Sequence, residues 1–285
     1  MSGQRCDSHV HIVGSHERYP QVASRTYLAG PATLEELRRV ASARGISRFV
    51  ISQPSFYGTD NTLLLESLDI LGARGRGVVV VDPDAIAAET LADYAASGVC
   101  GLRINLYSVL GTRERRLDRA FTAQASVARS MDWHVEVIAP IGVLAAHVDM
   151  LVRSHVAVVI DHYGVYGQAR PESAEGERLL ELLRHRHVWI KLSAPYRVSD
   201  NPLETHPDKA WLAAILAVAA DRCVWGSDWP HTPAHEAQQG GNIPGIYRPL
   251  AYAQLVDDFL AALPPGDLAH RIMADNPSRL YRFAD

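Results

Sequence analysis

The segment Val158-Val159-Ile160-Asp161-His162-Tyr163-Gly164 is a short, purely apolar run that ends in two ionisable side chains. An apolar run of this length without polar alternation is typical of a strand buried on both faces, as in a parallel sheet. Seven further short runs rich in apolar residues occur along the chain. The eight predicted strands cover residues 5–13, 47–54, 77–82, 99–106, 134–139, 157–162, 188–193 and 223–229.

Amphipathic stretches separate these runs, so strands and helices alternate from one end of the chain to the other. The predicted helices cover residues 33–44, 61–74, 89–97, 115–131, 143–153, 175–184, 209–220 and 250–263. A doubly wound open sheet would normally carry a glycine-rich phosphate turn after its first strand, whereas this chain has Gly14-Ser15-His16-Glu17 there. The pattern therefore predicts one α/β domain over residues 1–285, a single (β/α)8 TIM barrel with eight parallel strands.

Composition excludes several classes of function. The 285 residues carry a formal net charge of −4, with charges dispersed along the chain, so nucleic acid is not an expected partner. No apolar run is long enough for a membrane helix and no signal core precedes the first strand, so a cytoplasmic protein without a membrane partner is expected. The three cysteines, Cys6, Cys100 and Cys223, are expected to be buried free thiols.

Several polar residues lie where apolar strands end. His9 and His11 are two residues apart on the first strand, so both side chains, together with that of Asp7, are expected on one face. His162 ends the sixth strand and Asp228 the eighth. Because active sites of α/β barrels form at the carboxyl ends of the strands, the three imidazoles and the carboxylate are expected to converge there.

Longer motifs extend this pattern over almost the whole chain, which resembles the amidohydrolase superfamily. Within it, the chain is similar to the amidohydrolase-2 or lactonase branch and in particular to the 2-pyrone-4,6-dicarboxylate lactonase family. The motifs that carry the resemblance are Asp7-Ser8-His9-Val10-His11, Gln53-Pro54-Ser55-Phe56-Tyr57-Gly58, Gly101-Leu102-Arg103-Ile104-Asn105, Asp161-His162, Trp225-Gly226-Ser227-Asp228-Trp229-Pro230-His231 and Asn276-Pro277-Ser278-Arg279-Leu280-Tyr281.

The resemblance implies roles for individual residues. It assigns Asp228 as the base that activates water, and His9, His11 and His162 as groups that polarise the ring carbonyl. The substrate-binding residues that it implies are Ser55, Arg103, Arg197 and His231. Relatives in this branch work either without a metal or with one divalent ion, so the cofactor is either none or one Zn²⁺ held by His9, His11, His162 and Asp228.

Some positions depart from the family patterns. Strand four carries Arg103 in place of the lysine that bridges two metals, so a binuclear centre is not expected. Strand five has Ile138 where the dicarboxylate enzymes have a tyrosine, and no basic residue follows Asn105 before Arg113. A monocarboxylate, a sulfonate or a less charged lactone could therefore be the better substrate.

Salt bridges offer a second interpretation of the buried charges. Arg103 could pair with Glu136 instead of a substrate, and Lys191 could pair with Asp161 or Glu136. Glu136 itself could replace the strand-five ligand or serve only as an ion-pair partner.

The sequence thus predicts a hydrolase that opens a small anionic lactone of the pyrone or muconolactone type. Two alternatives stay open: a metal-dependent decarboxylase of the same superfamily, and a non-catalytic barrel that binds an anionic small molecule. The expected partner is the small-molecule lactone, and assembly into a homo-oligomer is left open.

Overall fold

Eight parallel strands form one continuous sheet in the computed structural model, which describes residues 4–107, 117–233 and 242–284. Neighbours in the sheet are also neighbours in the chain. The strands are β1 Arg5–Val10, β2 Ile46–Ser52, β3 Gly75–Val79, β4 Val99–Asn105, β5 His134–Ile138, β6 Val158–Ile160, β7 Val188–Ser193 and β8 Cys223–Gly226. The predicted strands are all present, and most end two to three residues earlier than predicted because their apolar pattern continues into the buried loops that follow.

The sheet closes where β8 meets β1. The Asp228 amide donates to the His9 carbonyl at 2.9 Å, and the His11 amide donates to the Trp229 carbonyl at 2.8 Å. These two bonds lie just beyond the strand ends and join the first and last strands of the sheet. The result is a nearly closed barrel, which confirms the (β/α)8 prediction.

Helices cover the outside of the barrel. They are α1 Leu34–Ser42, α2 Thr62–Leu71, α3 Ala88–Ala96, α4 Leu117–Met131, α5 Ile141–Ala146, α6 Val148–Arg153, α7 Ala174–Leu183, α8 Lys209–Ala219, α9 Tyr252–Ala262, α10 Leu268–His270 and α11 Asn276–Tyr281, with a π-helical stretch Arg271–Asp275 between the last two. The single helix predicted for residues 143–153 is two helices, because the backbone of His147 is not helical (φ −117°, ψ 13°). The predicted start of the fourth helix at Arg115 lies outside the described residues.

Side chains inside the barrel form layers. At the amino-terminal end, Cys6, Val50, Val78, Val159, Trp189 and Val224 pack together and are closed off by Tyr281 and Phe283 near the end of the chain. Above this apolar floor lie buried charges, and above those the carboxyl ends of the strands. The cysteines are free thiols as predicted, although Cys100 is only partly buried.

No helix within the described parts of the chain is both long and apolar enough to cross a bilayer. A small two-stranded parallel sheet, Leu28–Ala29 with Pro244–Gly245, lies apart from the barrel sheet. It joins the segment after β1 to the segment after β8.

Gly101 is a point where the barrel wall has no room for a side chain. A Cβ atom at this position would lie 2.4 Å from the ring of His134 on the neighbouring strand. We expect Gly101→Ala to lower the free energy of unfolding by about 2–3 kcal/mol, because the buried ring cannot move away without disturbing the close-packed floor. Denaturant unfolding followed by circular dichroism measures this change.

The matched control is Gly142→Ala in α5, where an added Cβ meets nothing within 4 Å. Alanine is favoured over glycine inside a helix by roughly 0.5–1 kcal/mol, so this variant should be as stable as the parent or slightly more so. Equal stability of the two variants would contradict the packing that we describe around Gly101.

Candidate active site

Short helical turns at the carboxyl ends of the strands carry the predicted site residues. The turn Ser55–Tyr57 follows β2, the turn His162–Gly164 follows β6, and the turn Pro195–Arg197 follows β7. Asp228 lies two residues beyond the end of β8. The barrel thus brings residues that are far apart in sequence to one end, where βα loops form active sites.

The first strand does not keep a strict two-residue alternation. Its pairing with β2 shifts register between Asp7 and Val10, so Asp7 and His9 do not share a face. The Asp7 carboxylate accepts hydrogen bonds from the Ser227 amide at 2.9 Å and from the hydroxyl of Tyr252 on the outer helix α9 at 2.9 Å. The expectation that Asp7 points with the histidines was therefore wrong, because the irregularity turns it toward the barrel seam.

Asp228 is fully buried at the centre of the predicted cluster. Its Oδ2 atom accepts hydrogen bonds from Arg197 Nε at 2.6 Å and from the Tyr196 hydroxyl at 2.8 Å. Its Oδ1 atom accepts no well-directed hydrogen bond from any described residue. Instead, Oδ1 lies near three Nε2 atoms, those of His11 at 3.3 Å, His9 at 3.6 Å and His162 at 4.0 Å.

The electrostatic surroundings of Asp228 keep it ionised. Burial, the largest influence, would raise the pKa of this carboxyl. The positive charge of Arg197 is the largest opposing influence, and His162 and His11 act in the same direction. Together they outweigh burial and hold the pKa of Asp228 well below its usual range. Asp228 is therefore a carboxylate near neutral pH, with one oxygen fixed by partners and the other open to accept a proton.

The other nitrogen of each imidazole has a partner of its own. His11 Nδ1 lies 2.7 Å from the Ser52 carbonyl, which can only accept, so Nδ1 carries a hydrogen. His162 Nδ1 bonds the Ser193 hydroxyl at 2.8 Å. Burial lowers the pKa of His9 and of His162 well below the ordinary value, so both are neutral.

A buried layer of charges lies beneath the cluster. Arg103 Nη1 is 3.2 Å from Glu136 Oε1, and Arg103 Nη2 is 3.6 Å from Asp161 Oδ2. Lys191 forms a close ion pair with Glu136 and lies 3.5 Å from Asp161. Two cations thus face two carboxylates, as in the salt-bridge alternative for Arg103 and Lys191, and Glu136 acts as their partner.

A small cavity is lined by Asp228, His11 and His162. It measures ≈ 20 Å³, enough for about one water molecule, and a lactone would enter only after lining side chains move. Ser55, Arg103 and Arg197 all line it, as does the apolar side chain of Ile138. The complete lining among the described residues is His11, Tyr27, Pro54, Ser55, Phe56, Arg103, Asn105, Tyr107, Ile138, His162, Arg197, Asp228 and Thr232.

His231, predicted to contact substrate, does not line this cavity. It is buried beside Tyr196, whose hydroxyl lies 3.4 Å from its Nδ1. Arg113, the first base predicted after strand four, lies outside the described residues.

Unusual backbone conformations concentrate at the site. His162, Tyr163, Val165, Ala194, Asp228 and His231 all have positive φ, between 44° and 67°. A left-handed backbone is unfavourable for residues with a side chain and persists where the surrounding structure enforces it, often in active sites. The loops after β6, β7 and β8 therefore hold their polar side chains in fixed orientations.

Several residues of the site were not predicted from the sequence. Tyr196 and Thr232 both support the Asp228–Arg197 pair, since the Thr232 hydroxyl accepts from Arg197 Nη2 at 2.6 Å. Ser52 and Ser193 fix the imidazoles of His11 and His162. Their positions in the sequence could have identified them. Ser52 and Ser193 are the last residues of strands, and Tyr196 and Thr232 are adjacent to the predicted residues Arg197 and His231.

A zinc ion in this site would draw its ligands from the predicted set of three histidines and Asp228. Ligand atoms of a tetrahedral zinc site with bonds of 2.0–2.1 Å are about 3.3 Å apart, and the separations of His11 and His9 from Asp228 Oδ1 approach that value. His9, however, has Lys191 Nζ at 3.0 Å from Nδ1 and Arg103 Nη1 at 3.5 Å from Nε2. Cations at both ring nitrogens do not suit a metal ligand, so the predicted four-residue set does not fit zinc as it stands.

Comparisons with known proteins find one matching family and several similar sequences. The family model described as Amidohydrolase matches residues 6–283. A 4-sulfomuconolactone hydrolase from Hydrogenophaga intermedia is 29% identical over 278 residues, covering 96% of this chain and 88% of that protein. A 2-pyrone-4,6-dicarboxylate hydrolase from Comamonas testosteroni is 26% identical over 290 residues, covering 96% and 89%.

The fold is shared with solved structures as well. A probable 2-pyrone-4,6-dicarboxylic acid hydrolase from Acinetobacter baumannii superimposes with a TM-score of 0.80 at 24% identity, covering 98% of this chain and 100% of that chain.

Proposed function

The chain belongs to the amidohydrolase family, and on that premise we propose that it is a hydrolase that opens the ring of a small anionic lactone. The observation that carries the proposal is the Asp228 carboxylate, which lines a cavity with room for one water molecule together with His11 and His162 and has one oxygen without a hydrogen-bond partner among the described residues. The names of the relatives, two of them hydrolases of lactone-type compounds, support the same class of reaction.

Asp228 acts as the general base. A water molecule in the cavity donates a hydrogen bond to Oδ1, and Asp228 takes that proton as the water oxygen attacks the ring carbonyl. Arg197 and Tyr196 hold Oδ2, so the carboxylate keeps one orientation during the transfer. Because the base and the water are already held in place, the reaction does not lose the entropy needed to bring them together from solution.

Donors around the cavity stabilise the oxyanion that forms. Arg103 lines the cavity, and the Nε2 atom of His9 lies 3.6 Å from Asp228 Oδ1, next to the cavity lining. Both provide fixed positive dipole or charge in a site that excludes bulk water, where such interactions are stronger than in solution. When the tetrahedral intermediate collapses, Asp228 returns its proton to the ring oxygen, which leaves as a hydroxyl.

His11 is held in one orientation beside Asp228. Its Nδ1 atom donates to the Ser52 carbonyl at 2.7 Å, and its Nε2 atom lies 3.3 Å from Asp228 Oδ1. Because His11 and Asp228 both line the cavity, the fixed ring helps to define the position of the attacking water.

Arg197 and Ser55 recognise the anionic group of the substrate. Both line the cavity, and a guanidinium binds carboxylate or sulfonate oxygens through paired hydrogen bonds. Ile138 makes part of the wall apolar, which favours a substrate with one anionic group on the Arg197 side.

A panel of lactones tests the proposal. Purified, chelator-treated protein is incubated with pyrone, muconolactone and sugar lactones that carry two, one or no anionic groups, and acid release and product masses are recorded. We expect ring opening for at least one anionic lactone and none for its neutral ester. Loss of carbon dioxide from an aromatic acid would instead support the decarboxylase, and binding without turnover would support the non-catalytic barrel.

We also propose that residues 1–285 form one domain. Tyr281 and Phe283 near the carboxyl terminus pack against Cys6 of β1 inside the same barrel, so both ends of the chain contribute to one core. Limited proteolysis should yield no stable fragment smaller than the barrel. Sedimentation of the purified protein measures whether it assembles into a homo-oligomer, which the sequence left open.

A further inference from the structure

Lys191 is a buried lysine in a chain that has only two, the other being Lys209 at the exposed start of α8. Lys191 lies on β7 with no exposed surface. Its ammonium group contacts Glu136, the Ser52 hydroxyl at 3.4 Å and His9 Nδ1 at 3.0 Å. A buried ammonium is unfavourable unless its hydrogens have acceptors, and these three groups supply one acceptor for each hydrogen.

The contact with His9 determines which ring nitrogen carries the hydrogen. An ammonium can only donate, so His9 Nδ1 must be the acceptor at 3.0 Å. If Nδ1 carried the hydrogen, two donors would face each other inside the barrel, and the more distant Asp161 at 3.4 Å would be the alternative acceptor. The geometry therefore favours the tautomer in which Nε2 carries the hydrogen and points toward Asp228.

Arg103 makes a competing but longer contact on the other side of the ring. Its Nη1 atom is 3.5 Å from His9 Nε2 and, as a donor, would favour a bare Nε2. Nη1 is however directed to Glu136 at 3.2 Å, and the Lys191 contact is shorter at 3.0 Å, so the Lys191 contact decides the tautomer. A divalent cation at Nε2 would lie close to this guanidinium and would have to displace the hydrogen of the favoured tautomer. Each ring nitrogen of His9 thus has a cationic side chain within 3.5 Å, whereas the Nδ1 partner of His11 is the Ser52 carbonyl.

We propose that Lys191 is a positioning residue that fixes His9 as the Nε2-hydrogen tautomer, making it a hydrogen-bond donor to the reacting centre and withholding it from a metal ion. The assigned tautomer and the exclusion of a metal follow from the contacts alone, whereas the donor role of His9 rests on the proposed lactone hydrolysis. Measurements of the tautomer and of metal content do not need a substrate. They can therefore fail or succeed independently of the lactone assay.

Nuclear magnetic resonance of protein labelled with isotopic nitrogen in histidine reads the tautomer directly. In the parent protein we expect the His9 signals to show a bare Nδ1 and a hydrogen on Nε2, with His9→Gln identifying which signals belong to this ring. In Lys191→Met, which removes the donor, we expect the hydrogen to move to Nδ1, where Asp161 or Glu136 can accept it. A hydrogen on Nδ1 in the parent protein would overturn the proposal.

Metal content provides the second readout. After exposure to zinc and dialysis, we expect Lys191→Met to hold zinc at least about tenfold more tightly than the parent, because His9 Nε2 is released as a ligand. Adding His9→Gln to Lys191→Met should abolish the gain. Equal zinc affinity of the parent and Lys191→Met would contradict the proposal.

Controls keep the experiment decisive. Lys209→Met removes the other lysine from an exposed position and should change neither readout. Because Lys191→Met leaves Glu136 without its lysine, the double variant Lys191→Met with Glu136→Gln restores the charge balance and should show the same tautomer change if the single variant does not fold.

Discussion

Asp228→Asn is expected to lower kcat for lactone opening by about three to four orders of magnitude, the usual loss when a positioned general base is removed. Asparagine has nearly the same shape and can still accept from Arg197 and Tyr196, but it cannot take a proton from water. Initial rates of acid release at saturating substrate measure the effect. Because substrate contacts are kept, KM should change much less than kcat.

Asp221→Asn is the matched control for this variant. Asp221 lies in the turn before β8, where its side chain is largely exposed and pairs with the adjacent Arg222. Its replacement should leave kcat within about twofold of the parent, since exposed ion pairs contribute little. Unchanged turnover in Asp228→Asn, with correct folding, would exclude Asp228 as the base.

Arg197→Met is expected to lower kcat/KM for an anionic lactone by about two to three orders of magnitude. The variant loses the charged donor that holds Asp228 Oδ2 at 2.6 Å and the cation that lines the cavity, so both base orientation and anion binding are weakened. Steady-state kinetics with the anionic lactone and with its neutral ester measure the two contributions separately. KM should rise for the anion and not for the ester.

Arg197→Lys should not restore activity, because a lysine ammonium cannot span the separate positions of Asp228 and the Thr232 hydroxyl that the guanidinium joins. Arg178→Met removes an exposed arginine that pairs with Asp149 and should have no effect on kinetics. Similar KM changes for the anionic and neutral substrates would show that Arg197 acts only on Asp228.

The strands and the identity of the central site residues could be predicted because they depend on local pattern. Strand β7, residues Val188–Ser193, has the predicted bounds, since its apolar run is ended by a loop with Pro195. His9, His11, His162 and Asp228 were found because polar residues at the ends of apolar strands are rare and must converge in a barrel.

The partners of these residues could not be predicted from the same pattern. The register shift in β1 depends on how the strand pairs with β2, which turns Asp7 toward the seam while His9 stays inside the barrel. The sequence offered salt bridges of Arg103 with Glu136 and of Lys191 with Asp161 or Glu136 as alternatives, and the structure brings both cations to both carboxylates. Choosing between these pairings and a role in substrate binding requires the relative positions of side chains on neighbouring strands. Such contacts are fixed by the three-dimensional register of the barrel, and no local periodicity carries that information.

Water enriched in heavy oxygen provides the most direct test of the central claim, that Asp228 activates water to attack a lactone carbonyl. The parent protein and Asp228→Asn, both freed of metal by chelation, are incubated in this water with the lactone that the panel identifies. We predict that the parent forms a ring-opened acid with one heavy oxygen in the new carboxylate and that Asp228→Asn forms almost none. Heavy oxygen in the new hydroxyl group, equal product from both proteins, or no ring opening of any lactone would contradict the account.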